Sequence, residues 1–384
     1  MPVKSMTMMI DLSSAQSLAN KVRYTGDKSV GSSIENRSPT DQAQDQLLRE
    51  GLYISDFVTP NLAKGLQQVC IRLNVPRECL SAFVYSSSEF QASCIATDLT
   101  KCVIRFSSQL IDLLGEDEFE FVCGHELGHF LLGHGLLSPE NSGNSLEYFI
   151  QQRSHEISAD RIGLLACGSL ETAIRAMMKT ISGLSDEHLR FDVSAFIGQI
   201  RKTGETQHFY YDYTSHPSLV IRCRALLWFS MSEKFFEAKG ETGGEPHEKI
   251  EDLIQAELDK YINEGAKQRI EDARIVAKVW LSACASIRNG ALDKKDQEII
   301  GRLVGDDKLE KLKNLYEGCS PQEVVNLTRE KLINSFSQFE HLAPVEFQNS
   351  ITALCGKIGN DFGQSDFEAY LKDYLSEGMP NSSL

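Results

Sequence analysis

Residues Phe121–Gly135 read FVCGHELGHFLLGHG. The apolar residues recur at helical spacing, and three histidines and a glutamate sit among them. His125, Glu126 and His129 form the pattern H-E-x-x-H. Residues four apart on a helix share a face, so His125 and His129 can aim both imidazoles at one ion. Glu126 is turned from them by about 100°. It can reach a water beside that ion without becoming a ligand. Two neutral imidazoles suit zinc, which acidifies its water, and a carboxylate beside that water suits a general base. The bland reading is a buried helix with satisfied core histidines. Burying an unpaired His and Glu among apolar flanks is costly, and a metal removes that cost.

Outward from this stretch, GEDE suits the first turn of the same helix and Gly135 its stop. A shorter helix and a turn precede it, in SQLIDLL. SAFVYSS and KCVIRFSS read as short strands, and NLAKGLQQVCIRLNV as a helix. A further helix covers YFIQQRSHEISADRIGLLACG and stops near Gly168.

A catalytic zinc site has three protein ligands and one open position. The downstream helix offers Glu156 and Asp160, one turn apart. Glu156 is the expected third ligand. Asp160 is placed to accept from the second nitrogen of a ligand histidine and fix its tautomer. The competing reading makes both an exposed acidic face paired with Arg153 or Arg161. His155 competes as a ligand but points about 100° away from Glu156. His134, five residues after His129, falls off the ligand face and reads as structural or supporting. Further on, YYDYTSHPSLVIRCRALL carries His216, Pro217 and Arg222. A histidine before proline lies in an extended or turn segment. It can face the open side of the metal and polarise a carbonyl, or simply lead into a helix. Tyr210, Tyr211 and Tyr213 are alternative oxyanion donors.

The chain has 384 residues, enough for two or three cores. Its 54 acidic and 39 basic residues give a formal charge of -15, which repels phosphate backbones and argues against nucleic acid as a partner. Ten cysteines form no CxxC pair, and several lie in apolar runs such as LLACG. That fits reduced thiols in a cytoplasmic protein. No apolar run approaches the ~20 residues that span a bilayer, and the N-terminus has no apolar segment of signal-peptide length.

The organisation expected is a polar N-terminal tail over 1–45, a metallopeptidase domain over 46–235, a Gly/Glu-rich linker over 236–250, and an amphipathic helical domain over 251–384. The fold class is α+β, mostly helical with a small sheet, followed by an all-α C-terminal domain.

HELGHFLLGH, HEISADRIG and SHPSLVIRCRAL, in this order, resemble the zinc metallopeptidase family that includes HtpX and the CAAX prenyl proteases, of gluzincin type. The resemblance covers roughly residues 50 to 230. It implies one Zn2+ held by His125, His129 and Glu156, with Glu126 catalytic, Asp160 supporting, and His216 and Arg222 near the active site. It implies peptide or protein substrates. Two departures stand out. Known members carry membrane-spanning helices, and none is seen here. Family members often place Asn-Ala on the strand lining the cleft, where Gln91 and Ala92 stand in EFQASC. VAKVWLSACASIRNGALDKKDQEIIGRLVG is faintly similar to TerB-like helical domains, and a helical bundle that docks a protein partner is the plainer reading. The function expected is a zinc-dependent metalloendopeptidase. The alternative is a zinc-binding regulatory or protein-interaction module with latent or absent proteolysis.

Overall fold

Cys102–Ser107 is the strand that organises the sheet. Its residues are buried on both sides except Arg105, which is why it reads as a nearly unbroken apolar run. A computed structural model describes residues 12–26, 39–134, 144–198, 213–288 and 292–376. Its strands are β1 (Leu52–Tyr53), β2 (Leu80–Tyr85), β3 (Ala92–Ile95) and β4 (Cys102–Ser107). They lie in the order β1-β2-β4-β3. β2 and β4 are parallel, with Ala82 opposite Ile104, and the two outer strands are antiparallel to their neighbours. β3 is therefore an edge. One face of β4, Ile104 and Phe106, joins the main core, whereas Val103 packs with Phe83 and Leu47 on the other.

The first compact unit comprises residues 1–140 and 150–263, and the second comprises 141–149 and 264–384. The first holds α1 (Ser13–Val22), α2 (Pro39–Glu50), α3 (Pro60–Leu73), α4 (Ser108–Leu113), α5 (Glu116–Leu131) and most of α6 (Leu146–Cys167). It continues with α7 (Leu170–Ser182), α8 (Val193–Ile197), α9 (Leu219–Phe229), α10 (Glu233–Ala238) and α11 (His247–Leu258), which ends in a π turn over Asp259–Asn263. The second unit is helical: α12 (Glu264–Ile287), α13 (Lys294–Val304), α14 (Asp306–Tyr316), α15 (Pro321–Leu342), α16 (Pro344–Asp361) and α17 (Phe367–Ser376). Leu281, Cys284, Leu332, Ile358 and Phe367 meet in its core. The fold is thus α+β, mostly helical with a small mixed sheet, followed by an all-helical C-terminal region.

Two boundaries differ from those expected. The units divide at Asn263, not within 236–250, because α11 buries Ile250, Ile254 and Leu258 against Ile157, Ile221 and Ala225 of the first unit. Residues 12–26 also depart from a loose tail. Leu12, Ala15, Ala19 and Val22 are buried in the main core. The segment after α1 is tied down by polar groups too. Arg161 Nη1 donates to the Val22 carbonyl at 3.0 Å, Tyr24 N–H to Ser158 Oγ at 3.1 Å, and Thr25 N–H to Glu251 Oε2 at 2.5 Å.

α5 and α6 are the helices that matter for the site. Acidic residues Glu116, Asp117 and Glu118 occupy the first turn of α5, and Glu118 Oε2 accepts from the Gly115 N–H at 2.7 Å. The helix stops before Gly135. Gly133 takes a left-handed φ of 70°, its N–H bonds to Phe130 O, and His134 N–H bonds back to His129 O at 2.9 Å. This is a Schellman turn. α5 and α6 cross with their backbones close together. A Cβ built on Gly124 would lie 2.2 Å from Ala166 Cβ, and one on Gly128 would lie 3.0 Å from Ala159 Cα.

Candidate metal centre and its neighbours

The close crossing brings α5 and α6 side chains face to face. His125 and His129 come from α5, Glu156 and Asp160 from α6. Among the described residues, His125, His129 and Glu156 form a group whose ligand atoms lie within 4.8 Å of one another. The separations are 3.2 Å for His125 Nε2 to His129 Nε2, 3.6 Å for His125 Nε2 to Glu156 Oε2, and 3.5 Å for His129 Nε2 to Glu156 Oε1. Zinc bonds of about 2.0–2.1 Å in a tetrahedron put ligand atoms about 3.3 Å apart. The three residues fit such an ion. Glu156 Oε2 is buried and accepts no aligned hydrogen bond, although Arg222 Nη1 is 2.9 Å away. The same oxygen lies 3.6 Å from His125 Nε2.

The outer contacts are as ordered as the inner ones. His125 Nδ1 lies 3.0 Å from Asp160 Oδ1, and His129 Nδ1 lies 2.8 Å from His134 Nδ1. A histidine that binds metal through Nε2 carries its proton on Nδ1, so Asp160 and His134 are the acceptors that select this tautomer. The His134 ring stacks on His155 at 4.0 Å between centroids and 3° between planes, and His155 Nε2 lies 3.0 Å from Gln151 Nε2. His155 therefore faces His134, not the ligand group. His134 reads from the sequence as structural or supporting, and it contacts a ligand histidine although it lies five residues on. The left-handed turn at Gly133 returns the ring to His129, and GHG in the sequence is its local signal.

Arg222, in the first turn of α9, inserts between the carboxylates. Its Nε reaches Asp160 Oδ2 at 2.8 Å and its Nη2 reaches Asp160 Oδ1 at 2.6 Å. Burial alone raises both carboxyl pKa values. The Arg222 charge overrides it, holding Glu156 well below the usual carboxylate range and Asp160 below its ordinary value, with His125 and His129 assisting. Burial alone lowers the His129 pKa, but the hydrogen bond and charge of Glu156 raise it on balance, and the Glu126 charge adds to this. Glu126 is buried on α5 beside the ligand pair.

His216 approaches from another side. Its Nε2 lies 3.3 Å from Glu156 Oε1, its Nδ1 lies 2.7 Å from Ser215 Oγ, and the side chain is 63% exposed. It lies outside the group of three, so the structure does not place it as a fourth ligand. Tyr213 is exposed; Tyr210 and Tyr211 lie outside the described residues. Ala92 opens the edge strand β3, and Gln91 makes two hydrogen bonds with Ser107: its N–H donates to the Ser107 side-chain Oγ at 3.1 Å and its carbonyl accepts from Ser107 N–H at 2.8 Å.

All ten cysteines are free thiols. Among the described residues, no helix is long and apolar enough to cross a membrane.

Comparison with known proteins agrees with this centre in part. Residues 58–151 match Peptidase family M48. The match includes His125, Glu126 and His129 and ends before Glu156. The chain is also similar to the plastoglobule-localized metallopeptidase 48, chloroplastic, of Arabidopsis thaliana, at 26% identity over 220 residues, covering 49% of this chain and 63% of that protein. The chain thus spans less than two thirds of that relative's length. No solved structure matches significantly. The sheet from β2 to β4 and the helix with the H-E-x-x-H pattern therefore lie in the stretch, residues 58–151, that matches Peptidase family M48.

Proposed function

We propose that the chain is a zinc-dependent endopeptidase acting on peptides or unfolded protein segments. The observation that carries this reading is the spacing of the His125, His129 and Glu156 ligand atoms, 3.2 to 3.6 Å apart. These three residues would hold the ion. Bound there, zinc supplies Lewis acidity toward a carbonyl and toward water.

The remaining chemistry belongs to the chain. Glu126 takes the proton of the attacking water and passes it to the leaving amine. His216, reaching in from its exposed segment, donates from Nε2 to the substrate carbonyl oxygen as negative charge develops. Arg222 has all three guanidinium nitrogens on or near Asp160 and Glu156. It acts by holding the carboxylates, which leaves the oxyanion contact to His216. An extended substrate adds to the free edge of β3, which presents its carbonyls in register.

The rival reading, a zinc module with latent or absent proteolysis, draws on one observation, the 3.3 Å approach of His216 Nε2 to Glu156 Oε1. Metal analysis together with cleavage of casein or a quenched peptide separates them. The enzyme reading expects one zinc per chain in wild type and in Glu126→Gln. It also expects a loss of cleavage of about 10²–10⁴-fold in Glu126→Gln. Faster cleavage by His216→Ala supports latency, and no cleavage by any form overturns the peptidase reading. A cytoplasmic location is proposed from the free thiols. The relative's name places that protein on plastoglobules, and fractionation of cells carrying the full chain decides between the two for this chain.

A further inference from the structure

His216 is mostly exposed, so packing does not hold its ring near Glu156. Its position must come from the backbone that carries it. Several contacts hold the segment from Thr214 to Ser218. Pro217 is buried, Ser215 Oγ meets His216 Nδ1, and Ser218 Oγ accepts from Ile221 N–H at 3.4 Å. A further, charged contact comes from Arg153.

Arg153 lies on α6, one turn before Glu156, and is fully buried. Its Nη1 donates to the Thr214 carbonyl at 2.8 Å, and its Nε donates to Asn263 Oδ1 at 2.8 Å. Asn263 is itself buried and closes the π turn that ends α11. A π turn is a rare irregularity within helices and is frequent at functional sites. The guanidinium is a rigid planar fork, so its two acceptors are held at a set separation. A lysine, with one compact ammonium on a flexible stem, does not reproduce that geometry.

We propose that Arg153 is a positioning residue. It clamps the Thr214 carbonyl against the π turn at Asn263 and so sets the place of His216 beside the Glu156 carboxylate. The ligand carboxylate and the His216 segment are thereby referenced to the same turn of α6. Arg153 touches neither substrate nor metal. This inference rests on the reading of His216 as the group that faces substrate.

The test uses the full chain as wild type, Arg153→Lys, Asn263→Ala, His216→Ala and the double variant Arg153→Lys/His216→Ala. Hydrogen–deuterium exchange reads the 213–218 segment directly, bound zinc is counted, and kcat and KM are measured on one peptide. The expected result is faster exchange at 213–218 in Arg153→Lys and Asn263→Ala, with exchange in α5 and zinc content unchanged. The kcat of Arg153→Lys should fall about 10- to 100-fold, the scale of a small misplacement of a reacting group. The double variant should be no slower than His216→Ala alone. Unchanged exchange at 213–218, or kcat losses that multiply in the double variant, overturns the proposal. Asn263→Ala keeps the arginine and removes one acceptor, so it carries the test if Arg153→Lys does not fold. A wild type that cleaves nothing removes the peptidase reading, while the exchange data still decide whether Arg153 holds the segment.

Discussion

Arg222 grips Asp160 with two edges of its guanidinium, at 2.8 and 2.6 Å, while the oxygen of the shorter contact also lies 3.0 Å from His125 Nδ1. The aspartate thus joins a cation behind it to an imidazole in front of it. Replacing Asp160 by Asn keeps the shape and removes the charge that orients His125. Zinc affinity should drop about 10- to 100-fold, measured by competition with a chromophoric chelator. Unaltered affinity would show that Asp160 serves the fold alone.

Gly124 lies where α5 meets α6, and a Cβ there would sit 2.2 Å from Ala166 Cβ. Gly124→Ala must push the two helices apart or shift their register. A cost of about 1–3 kcal/mol is expected from such overpacking. Weaker zinc binding should accompany it, because the ligands come from both helices. Thermal melts with and without zinc check this, and a variant that loses stability while keeping wild-type zinc affinity refutes the link.

Removing the metal with a chelator should abolish cleavage and leave the fold. Arg222 pairs with both Glu156 and Asp160 and offsets part of their charge. At free zinc 100 times its Kd, binding adds about 2.7 kcal/mol of stability. For a domain of this size that is about 5–10 °C in Tm. Far-UV circular dichroism should be unchanged, and zinc should restore both Tm and activity. Collapse of the helical signal on chelation would contradict this.

Glu251 gives a pH signature away from the metal. Burial alone raises its pKa, but Arg161 at 2.6 Å and the Thr25 N–H lower it on balance below the ordinary 4.5. A depressed carboxyl contributes stability above its unfolded pKa and loses it as the pH falls through the folded value. The Tm gap between wild type and Glu251→Gln should be full near neutral pH, begin to close below about pH 4.5, and vanish at lower pH. A gap that stays constant down to pH 3 would rule the pair out as the source.

The sequence carried the local parts of this site well. His125, Glu126 and His129 share one helix, and Glu156 and Asp160 are one turn apart on another, so helical spacing alone places each pair. The strands around Val84 and Ile104 were legible for the same reason, as short β-branched and aromatic runs. What was hidden depends on contacts distant in the chain or on backbone detail. Arg153 looked like one more charge on α6, and nothing nearby announces Thr214 or Asn263 as its partners. Gly124, Gly128 and Gly163 are poor helix formers, and only the partner helix explains them. α1 is short and mostly polar, yet Ala15, Ala19 and Val22 are buried and Leu18 packs partly buried against the same core.

The anchoring of residues 22–25 separates two kinds of boundary. The stretch that matches the family model starts at residue 58, yet the chain upstream of it supplies partners to Ser158, Arg161 and Glu251. A chimera that grafts only residues 58–151 onto another scaffold would leave behind Glu156, Ser158 and Arg161 together with the upstream segment that holds them. The stretch that matches the family model is therefore smaller than the body that carries the candidate centre.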